Sequence, residues 1–397
     1  MFNSIRLHKL LVVSFSQILL FINIVSAVPQ NSSDSLFETA NYDVYNLQDA
    51  IEIEKLISQL STRQKIGQRF ITYVKGTTID QGTANLIQNG FVGGVIINQN
   101  NLYSYDQAKL LAKNLQELTE NNNPPIELFI VADQEGGRVD RYRFREVTKF
   151  PPPYYWAKDN DEEFVEAAAY ITSKELLRLG VNMNLAPVLD VYSVADNSII
   201  GDRSFGGDFD LVAKMGIAYL KGSFRAGIIS VVKHFPGHGF SVVDSHQSLP
   251  EVNLNKEELA YLLSPFRDAV EYGVPAVMTA HILYPQLDPE APATLSVPIL
   301  QGLLRDDLGF QGIVISDAIE MRALSDKYGP VDIVKKAIEA GVDLVLINSY
   351  HDTFAIQESI LEFFNSGEIT EEDINIGLRR ILRIKHQYGL LKNYNIK

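Results

Sequence analysis

The sequence predicts an α/β protein with a (β/α)₈ barrel of the TIM type, and three observations lead to that fold. Short runs of Val, Ile and Leu alternate with longer segments of helical periodicity along most of the chain. Near-continuous apolar strands are typical of a parallel sheet that helices cover. Polar residues repeatedly follow these strands directly, and in a barrel those strand ends converge on one functional face. An open doubly wound sheet shows the same alternation and is the alternative fold.

The predicted elements follow one another in a regular strand-to-helix order. Eight runs are predicted as strands: Arg69–Tyr73, Gly94–Asn98, Leu128–Asp133, Asn182–Ala186, Ile229–Lys233, Ala276–Ala280, Gly312–Asp317 and Leu344–Asn348. Helical patterning starts near Leu47, and later predicted helices include Thr83–Gln88, Gln107–Leu118, Glu162–Leu179, Phe209–Ala226, Lys256–Tyr272 and Val331–Ala340. The amphipathic stretch Ile374–Leu391 is predicted to be a closing helix. We therefore expect one barrel domain over residues 46–397.

Residues 1–27 have the pattern of a secretory signal peptide. Arg6 and Lys9 form a basic start, an apolar stretch follows, and Val25-Ser26-Ala27 provides small residues for cleavage. An uncleaved anchor is the alternative interpretation. We expect export to the periplasm or the medium, and residues 28–45 are predicted to form a flexible polar leader.

The composition limits the classes of partner. The chain contains no cysteine, which excludes disulfides and thiolate metal sites. Its 35 Lys and Arg residues against 49 Asp and Glu residues give a formal net charge of −14. Such an acidic chain argues against nucleic acid or an anionic membrane as the main partner. We expect a monomer without a cofactor, and without stable membrane insertion once the signal peptide is removed.

The segment Lys233–His246, which reads KHFPGHGFSVVDSH, is the richest in chemically active side chains. Lys233 and His234 follow an apolar strand, and a loop with one proline and two glycines leads on to Asp244-Ser245-His246. A contact between Asp244 and His246 would orient the imidazole and favour its protonated form, which suits a general acid. Ordinary polar loop residues are one alternative. A metal site formed by His234, His238 and His246 is another, although neither a helical H-x-x-x-H pair nor a cysteine partner is present.

Two carboxylates end other predicted strands. Asp317 follows the run Ile313–Ser316, where it is either catalytic or the N-cap of the next helix. Asp133 precedes Gln-Glu-Gly-Gly, whose glycines allow a ligand to approach the backbone closely. An acidic side chain here suits the hydroxyls of a sugar. Arg141 and Arg203 are candidates to bind hydroxyl, carbonyl or carboxylate oxygens, or to form surface ion pairs.

Together these residues resemble glycoside hydrolase family 3, and more closely its β-N-acetylglucosaminidase branch. The resemblance extends from about residue 50 to 390. Its most specific element is KHFPGHG followed after four residues by DSH, at Lys233–His246. The other matching motifs are DQEGGRVDR at Asp133–Arg141, DRSF at Asp202–Phe205, TAHILYP at Thr279–Pro285 and ISDAIEM at Ile315–Met321.

The resemblance implies a role for each matching residue. Asp317 would be the nucleophile of a retaining hydrolase, His246 the acid/base, and Asp244 its partner. The residues that would bind the terminal N-acetylglucosamine, with no metal or cofactor, are Asp133, Arg141, Arg203, Lys233 and His234. The exported chain would act on peptidoglycan fragments or related glycans.

The same resemblance leaves alternatives open. A histidine in place of a second catalytic carboxylate allows an anionic acceptor, so phosphorolysis is one alternative to hydrolysis. A β-glucosidase and a catalytically silent sugar-binding barrel are two others. Ala318 stands where many family members carry a second acidic residue after the nucleophile, and Glu320 could compensate for it.

Overall fold

Eight short β-strands form an all-parallel sheet in the computed structural model, which describes residues 47–192, 199–241 and 243–391. The predicted signal peptide and leader lie outside the described residues. The strands are β1 Phe70–Tyr73, β2 Gly94–Ile96, β3 Phe129–Ala132, β4 Met183–Asn184, β5 Ile229–Phe235, β6 Ala276–Thr279, β7 Ile313–Ile315 and β8 Val345–Ile347. Each overlaps one predicted strand, so the predicted order of strands is confirmed.

The sheet closes on itself. Consecutive strands pair in parallel from β1 to β7, and β1 also pairs with β8, with Ile71 opposite Leu346. A parallel bridge between Ile315 and Leu344 joins β7 to the start of β8. The predicted (β/α)₈ barrel is therefore confirmed, and the open-sheet alternative is wrong.

Every strand differs slightly from its predicted bounds, and the differences at β4 and β5 affect the site. β4 has only two residues, and its pairing with β5 resumes after Pro187 as an isolated parallel bridge between Val188 and Lys233. β5 extends past Lys233 to Phe235, and its register with β6 shifts between Val232 and Phe235. Lys233 and His234 thus lie within β5, where the irregular register interrupts the strict alternation of side chains.

Helices surround the barrel wherever the 3.6-residue periodicity predicts them. They are α1 Leu47–Gln59, α2 Thr62–Gly67, α3 Gln81–Gln88, α4 Tyr105–Glu117, α5 Pro153–Ala157, α6 Glu162–Arg178, α7 Phe209–Ala226, α8 Lys256–Glu271, α9 Arg322–Ser325, α10 Pro330–Ala340, α11 Tyr350–Ser366 and α12 Glu371–Gln387. Shorter helical segments are the 3₁₀ turns Gln99–Asn101, Gly201–Arg203 and Ala293–Leu295, and the π-helical Pro298–Asp307. Within the described residues, the structure has no helix long and apolar enough to cross a membrane.

Alternate residues of each strand build two apolar layers. Side chains such as Val131, Ile229 and Met278 fill the barrel interior, whereas neighbours such as Ile130 and Val277 face the helices. This alternation follows from the two-residue period of a strand. The barrel is consequently a packed core, and its chemistry is confined to the ends.

Helix α12 covers the amino-terminal end of the barrel. Thr370 caps the helix in a reciprocal capping box with Asp373. Ile381, Ile384 and Leu390 belong to the same buried cluster as the residues inside the barrel. The predicted closing helix is confirmed, and it leaves the carboxyl ends of the strands for the functional face.

Candidate active site

A buried lysine lies at the centre of the charged residues near the carboxyl ends of β3 and β5. The Lys233 side chain is 2% exposed, and its Nζ lies 2.5 Å from Asp133 Oδ1 and 2.6 Å from Glu135 Oε1. Burial alone would lower the pKa of Lys233, but Asp133 and Glu135 outweigh burial and raise it. The ammonium group therefore remains a fixed positive charge.

Glu135 is the buried anion that joins this lysine to Arg203. Arg203 lies on the Gly201–Arg203 turn and donates from Nε and Nη2 to the two Glu135 carboxylate oxygens, both at 2.8 Å. Burial alone would raise the pKa of Glu135, but Arg203 and Lys233 lower it well below its usual range. No role for Glu135 was predicted from the sequence. The feature that could have indicated one is its position two residues after Asp133, in Asp-Gln-Glu-Gly-Gly.

Arg141 joins the same cluster from the loop after β3. Its Nη2 lies 3.3 Å from Asp133 Oδ2, and its Nε is buried without a hydrogen-bond partner among the described residues. An unsatisfied guanidinium donor next to an acidic side chain is suited to bind a polar ligand. Asp133, Arg141, Arg203 and Lys233 are thus brought together as the sequence analysis expected, whereas their roles stay predictions.

His234 is held by Asp190, a second residue that the sequence analysis missed. His234 Nδ1 lies 2.6 Å from Asp190 Oδ2, and the backbone N–H groups of His234 and His238 donate to Asp190 Oδ1 at 3.1 and 2.6 Å. Burial alone would raise the pKa of Asp190, but the two histidines lower it. Asp190 follows β4 after Pro187-Val188-Leu189, and only the barrel closure between β4 and β5 places it there.

Asp317 lies two residues after the end of β7 and is partly buried. Its Oδ1 accepts a hydrogen bond from Ala318 N at 2.7 Å. The next helix, α9, has its N-cap at Met321, so Asp317 is not an N-cap. Burial alone would raise the pKa of Asp317, but His281, His234 and smaller contributions lower it. Asp317 is an ionised carboxylate that faces positive and dipolar groups, as a nucleophile requires.

The Asp244–His246 pair forms as the D-x-H spacing suggests. His246 Nδ1 lies 2.8 Å from Asp244 Oδ1, which also accepts from His246 N at 2.9 Å. Burial alone would raise the pKa of Asp244, but its hydrogen bonds to His246 lower it. The His246 side chain is 66% exposed, so its Nε2 edge is accessible to a ligand.

Two contacts anchor the loop that carries this pair. His238 Nε2 lies 3.3 Å from Ser245 Oγ, and Ala323 N donates to Ser245 O at 3.0 Å. Ala323 belongs to α9, six residues after Asp317. The Asp244–His246 loop is therefore bonded both to the loop after β5 and to the segment that follows Asp317.

Other polar residues at strand ends serve the fold. Ser316 Oγ accepts from Leu346 N at 3.0 Å, and Ser349 caps helix α11. Glu320 Oε1 accepts from Asn348 N at 2.7 Å, and burial raises the pKa of Glu320. Among the described residues, no group of three or more His, Asp or Glu side chains is arranged to hold a metal ion.

A carboxylate after β7, an Asp–His pair and a cluster of charged side chains lie near the carboxyl ends of the strands of a (β/α)₈ barrel, an arrangement suited to glycoside hydrolysis. Comparison with known proteins identifies the family. Residues 54–384 match the model of the glycosyl hydrolase family 3 N terminal domain, so the chain belongs to glycoside hydrolase family 3.

Several proteins similar to this chain are named β-hexosaminidases or β-N-acetylglucosaminidases. A β-hexosaminidase of Vibrio cholerae is 36% identical over 69% of this chain and 80% of its own length. β-Hexosaminidase A of Pseudoalteromonas piscicida is 34% identical over 78% of this chain, which spans only 56% of that relative. A solved family 3 β-N-acetylglucosaminidase from Paenibacillus sp. FPU-7 is 39% identical, with a TM-score of 0.81 over 83% of this chain and 63% of the other.

Proposed function

We propose that this protein is a retaining exo-β-N-acetylglucosaminidase that removes terminal N-acetylglucosamine through a covalent glycosyl-Asp317 intermediate. The observation that carries the proposal is the paired Asp244–His246 loop, which is bonded through Ser245 O to the segment following Asp317. That bond connects a proton-transfer group to a nucleophile more than seventy residues away in sequence. The family and its β-hexosaminidase relatives support the same activity.

The charged cluster would bind the sugar. The Asp133 carboxylate can accept hydrogen bonds from sugar hydroxyls, and the Lys233 ammonium can donate to them. Arg141 Nε is a further donor, which has no hydrogen-bond partner among the described residues. Arg203 is fixed by Glu135, and His234 by Asp190, so both side chains are already oriented. Because these groups are fixed before the ligand arrives, little conformational entropy would be lost on binding.

The first chemical step would form the glycosyl-enzyme. His246 Nε2–H donates its proton to the glycosidic oxygen while Asp317 attacks the anomeric carbon, and the bond to the leaving group breaks. Asp244 accepts from Nδ1 and stabilises the positive ring. In the second step, neutral His246 takes a proton from water, water attacks the same carbon, and Asp317 leaves. Two inversions give net retention.

The substrate and location belong to the same proposal. A basic, apolar and then small-residue leader at residues 1–27 supports export, to the periplasm or the medium. An exported enzyme of this kind would meet peptidoglycan fragments or related glycans, which carry β-linked N-acetylglucosamine. The relatives are named β-hexosaminidase and β-N-acetylglucosaminidase, which supports N-acetylglucosamine as the sugar that is released.

Phosphorolysis is a second candidate, and one observation favours it. The proposed acid/base is a histidine in place of a second catalytic carboxylate, which reduces the repulsion of an incoming phosphate. A β-glucosidase is the third candidate within the family. A metal site that uses His234, His238 and His246 is a separate alternative, although the described residues contain no group of three or more His, Asp or Glu side chains arranged to hold a metal ion.

One assay separates these candidates. The protein is incubated with nitrophenyl β-N-acetylglucosaminide and with nitrophenyl β-glucoside, each with and without phosphate, and once with EDTA. We expect faster turnover of the N-acetylglucosaminide, release of the free sugar and no effect of EDTA. Faster turnover of the glucoside, sugar-1-phosphate as the main product, or loss of activity in EDTA would each replace the proposal with one of its alternatives.

Two variants test the assigned roles. Asp317→Ala should abolish turnover of every substrate. His246→Ala should retain the first step with nitrophenyl glycosides, because the nitrophenol leaving group needs little protonation. The same variant should lose turnover of natural glycans. Equal loss in both variants on all substrates would contradict this division of roles.

A further inference from the structure

His281 is a buried histidine near the proposed nucleophile that takes no part in the proposed proton transfers. It comes just after the end of β6 and is 1% exposed. Its Nε2 lies 3.0 Å from Ala318 O, and its Nδ1 lies 2.7 Å from Thr294 Oγ1. Because the protein occupies both ring nitrogens, this imidazole is not placed to exchange protons with a substrate.

The partners determine how the ring is protonated. A carbonyl oxygen only accepts, so His281 Nε2 must carry a hydrogen and donate it to Ala318 O. Burial lowers the pKa of His281, although Asp317 acts in the opposite direction. His281 Nδ1 contacts the Thr294 hydroxyl, which also lies 3.0 Å from Ala280 O and 2.8 Å from Thr279 Oγ1. These contacts hold the ring in one orientation, with its Nε2–H directed at Ala318 O.

The backbone turn after Asp317 is held on both sides. His281 binds the carbonyl of the Ala318–Ile319 peptide, and the Ile319 N–H donates to Leu346 O in β8 at 3.2 Å. The N–H of Ala318 donates in turn to Asp317 Oδ1. The Asp317 carboxylate therefore bonds to the N–H of Ala318, a residue whose following peptide is held by His281 on one side and by Leu346 of β8 on the other.

We propose that His281 is a positioning residue for the nucleophile: it holds the Ala318 carbonyl and thereby fixes the turn that aims the Asp317 carboxylate at the anomeric carbon. The inference rests on the proposed role of Asp317. The charged or titratable groups around the pair are His234 and Lys233 on β5 and His246 on the acid/base loop. Each of these three already has another role in the proposal.

Replacement of His281 should affect kcat far more than KM. His281→Leu removes the donor to Ala318 O and should lower kcat about a hundredfold, because a misplacement of about 1 Å costs roughly that much. The loss should be similar for activated and unactivated leaving groups, unlike that of His246→Ala. His281→Gln retains an N–H donor and should recover part of the rate.

Thr294→Val and a matched control complete the series. Thr294→Val leaves His281 Nδ1 without its hydroxyl partner and should give an intermediate kcat. Thr353→Val removes another buried hydroxyl that also bonds to a threonine, at Thr72. This control should lose stability without a change in kcat.

The pH profile separates positioning from mere support of the fold. Burial raises the pKa of Asp317, and His281 is foremost among the groups that lower it. Loss of His281 should therefore move the acidic limb of kcat/KM to higher pH. A purely structural role would lower the melting temperature and leave that limb in place.

The outcomes are distinguishable from failure of the proposed function. Parental kcat and an unmoved acidic limb in folded His281→Leu would overturn the inference. If that variant does not fold, parental kcat in Thr294→Val would overturn it equally. Substantial turnover by Asp317→Ala would instead refute the nucleophile itself, whatever the His281 variants show.

Discussion

Two fully buried lysines lie at opposite ends of the barrel, and their partners differ in kind. Lys233, among the functional residues, is held by the carboxylates of Asp133 and Glu135. Lys385, on α12 at the closed end, donates to three neutral oxygens, those of Gln68 Oε1, Gly93 O and Glu127 O, at 2.9, 2.9 and 2.7 Å. Lys233 belongs to a network of charged side chains, whereas Lys385 is held by hydrogen bonds to uncharged groups.

The electrostatic consequences are opposite. Burial lowers the pKa of Lys385 to about 7, because the Glu127 charge offsets only part of the loss of water. Burial acts on Lys233 in the same direction, but Asp133 and Glu135 reverse it and raise the pKa. Burial by itself therefore says little about function. A buried lysine that retains its charge through paired carboxylates is the one suited to bind a ligand.

Lys233→Met is expected to have the largest effect. It leaves Asp133 and Glu135 without their shared cation, so kcat/KM should fall about a thousandfold and the free energy of unfolding by about 3 kcal/mol. Steady-state kinetics and thermal unfolding measure the two effects. Lys233→Arg should restore stability better than activity, because a planar guanidinium cannot reproduce the ammonium geometry. Parental kcat/KM in Lys233→Met would show that the charged network around Lys233 is not needed for function.

Lys385→Met should affect stability and not catalysis. Methionine fills much of the same volume but leaves three acceptors without a donor, which should cost about 2 kcal/mol of unfolding free energy. Below the melting temperature kcat/KM should match that of the parent. A large loss of kcat in a folded Lys385→Met protein would show that the closed end of the barrel influences the site.

The pH dependence of stability is the smallest expected effect. With a folded pKa of about 7 for Lys385, against about 10.4 in the unfolded chain, the unfolded state binds the extra proton between these values. The parent should therefore gain stability over Lys385→Met as pH rises from 7 to 9. The difference in unfolding free energy between the parent and Lys233→Met should not change over this pH range, because the raised pKa of Lys233 keeps the lysine protonated. Chemical denaturation at several pH values measures both differences.

Much of the fold was predictable because it depends on local periodicity. Runs such as Val345–Ile347 and Ile313–Ile315 specify buried strands, and the apolar stripe of α12 specifies a closing helix. The D-x-H spacing likewise predicted the contact between Asp244 and His246, because side chains two residues apart in one loop stay within hydrogen-bonding reach.

The sequence by itself thus determined the order of the elements, the layers of the barrel and the identity of the polar residues at strand ends. Only the tertiary structure decided which of those residues meet. Glu135 and Asp190 acquire their roles from cations on other strands, and His281 from a carbonyl beyond the next strand. Such pairings depend on strand closure and on the register shift in β5, which no local pattern encodes.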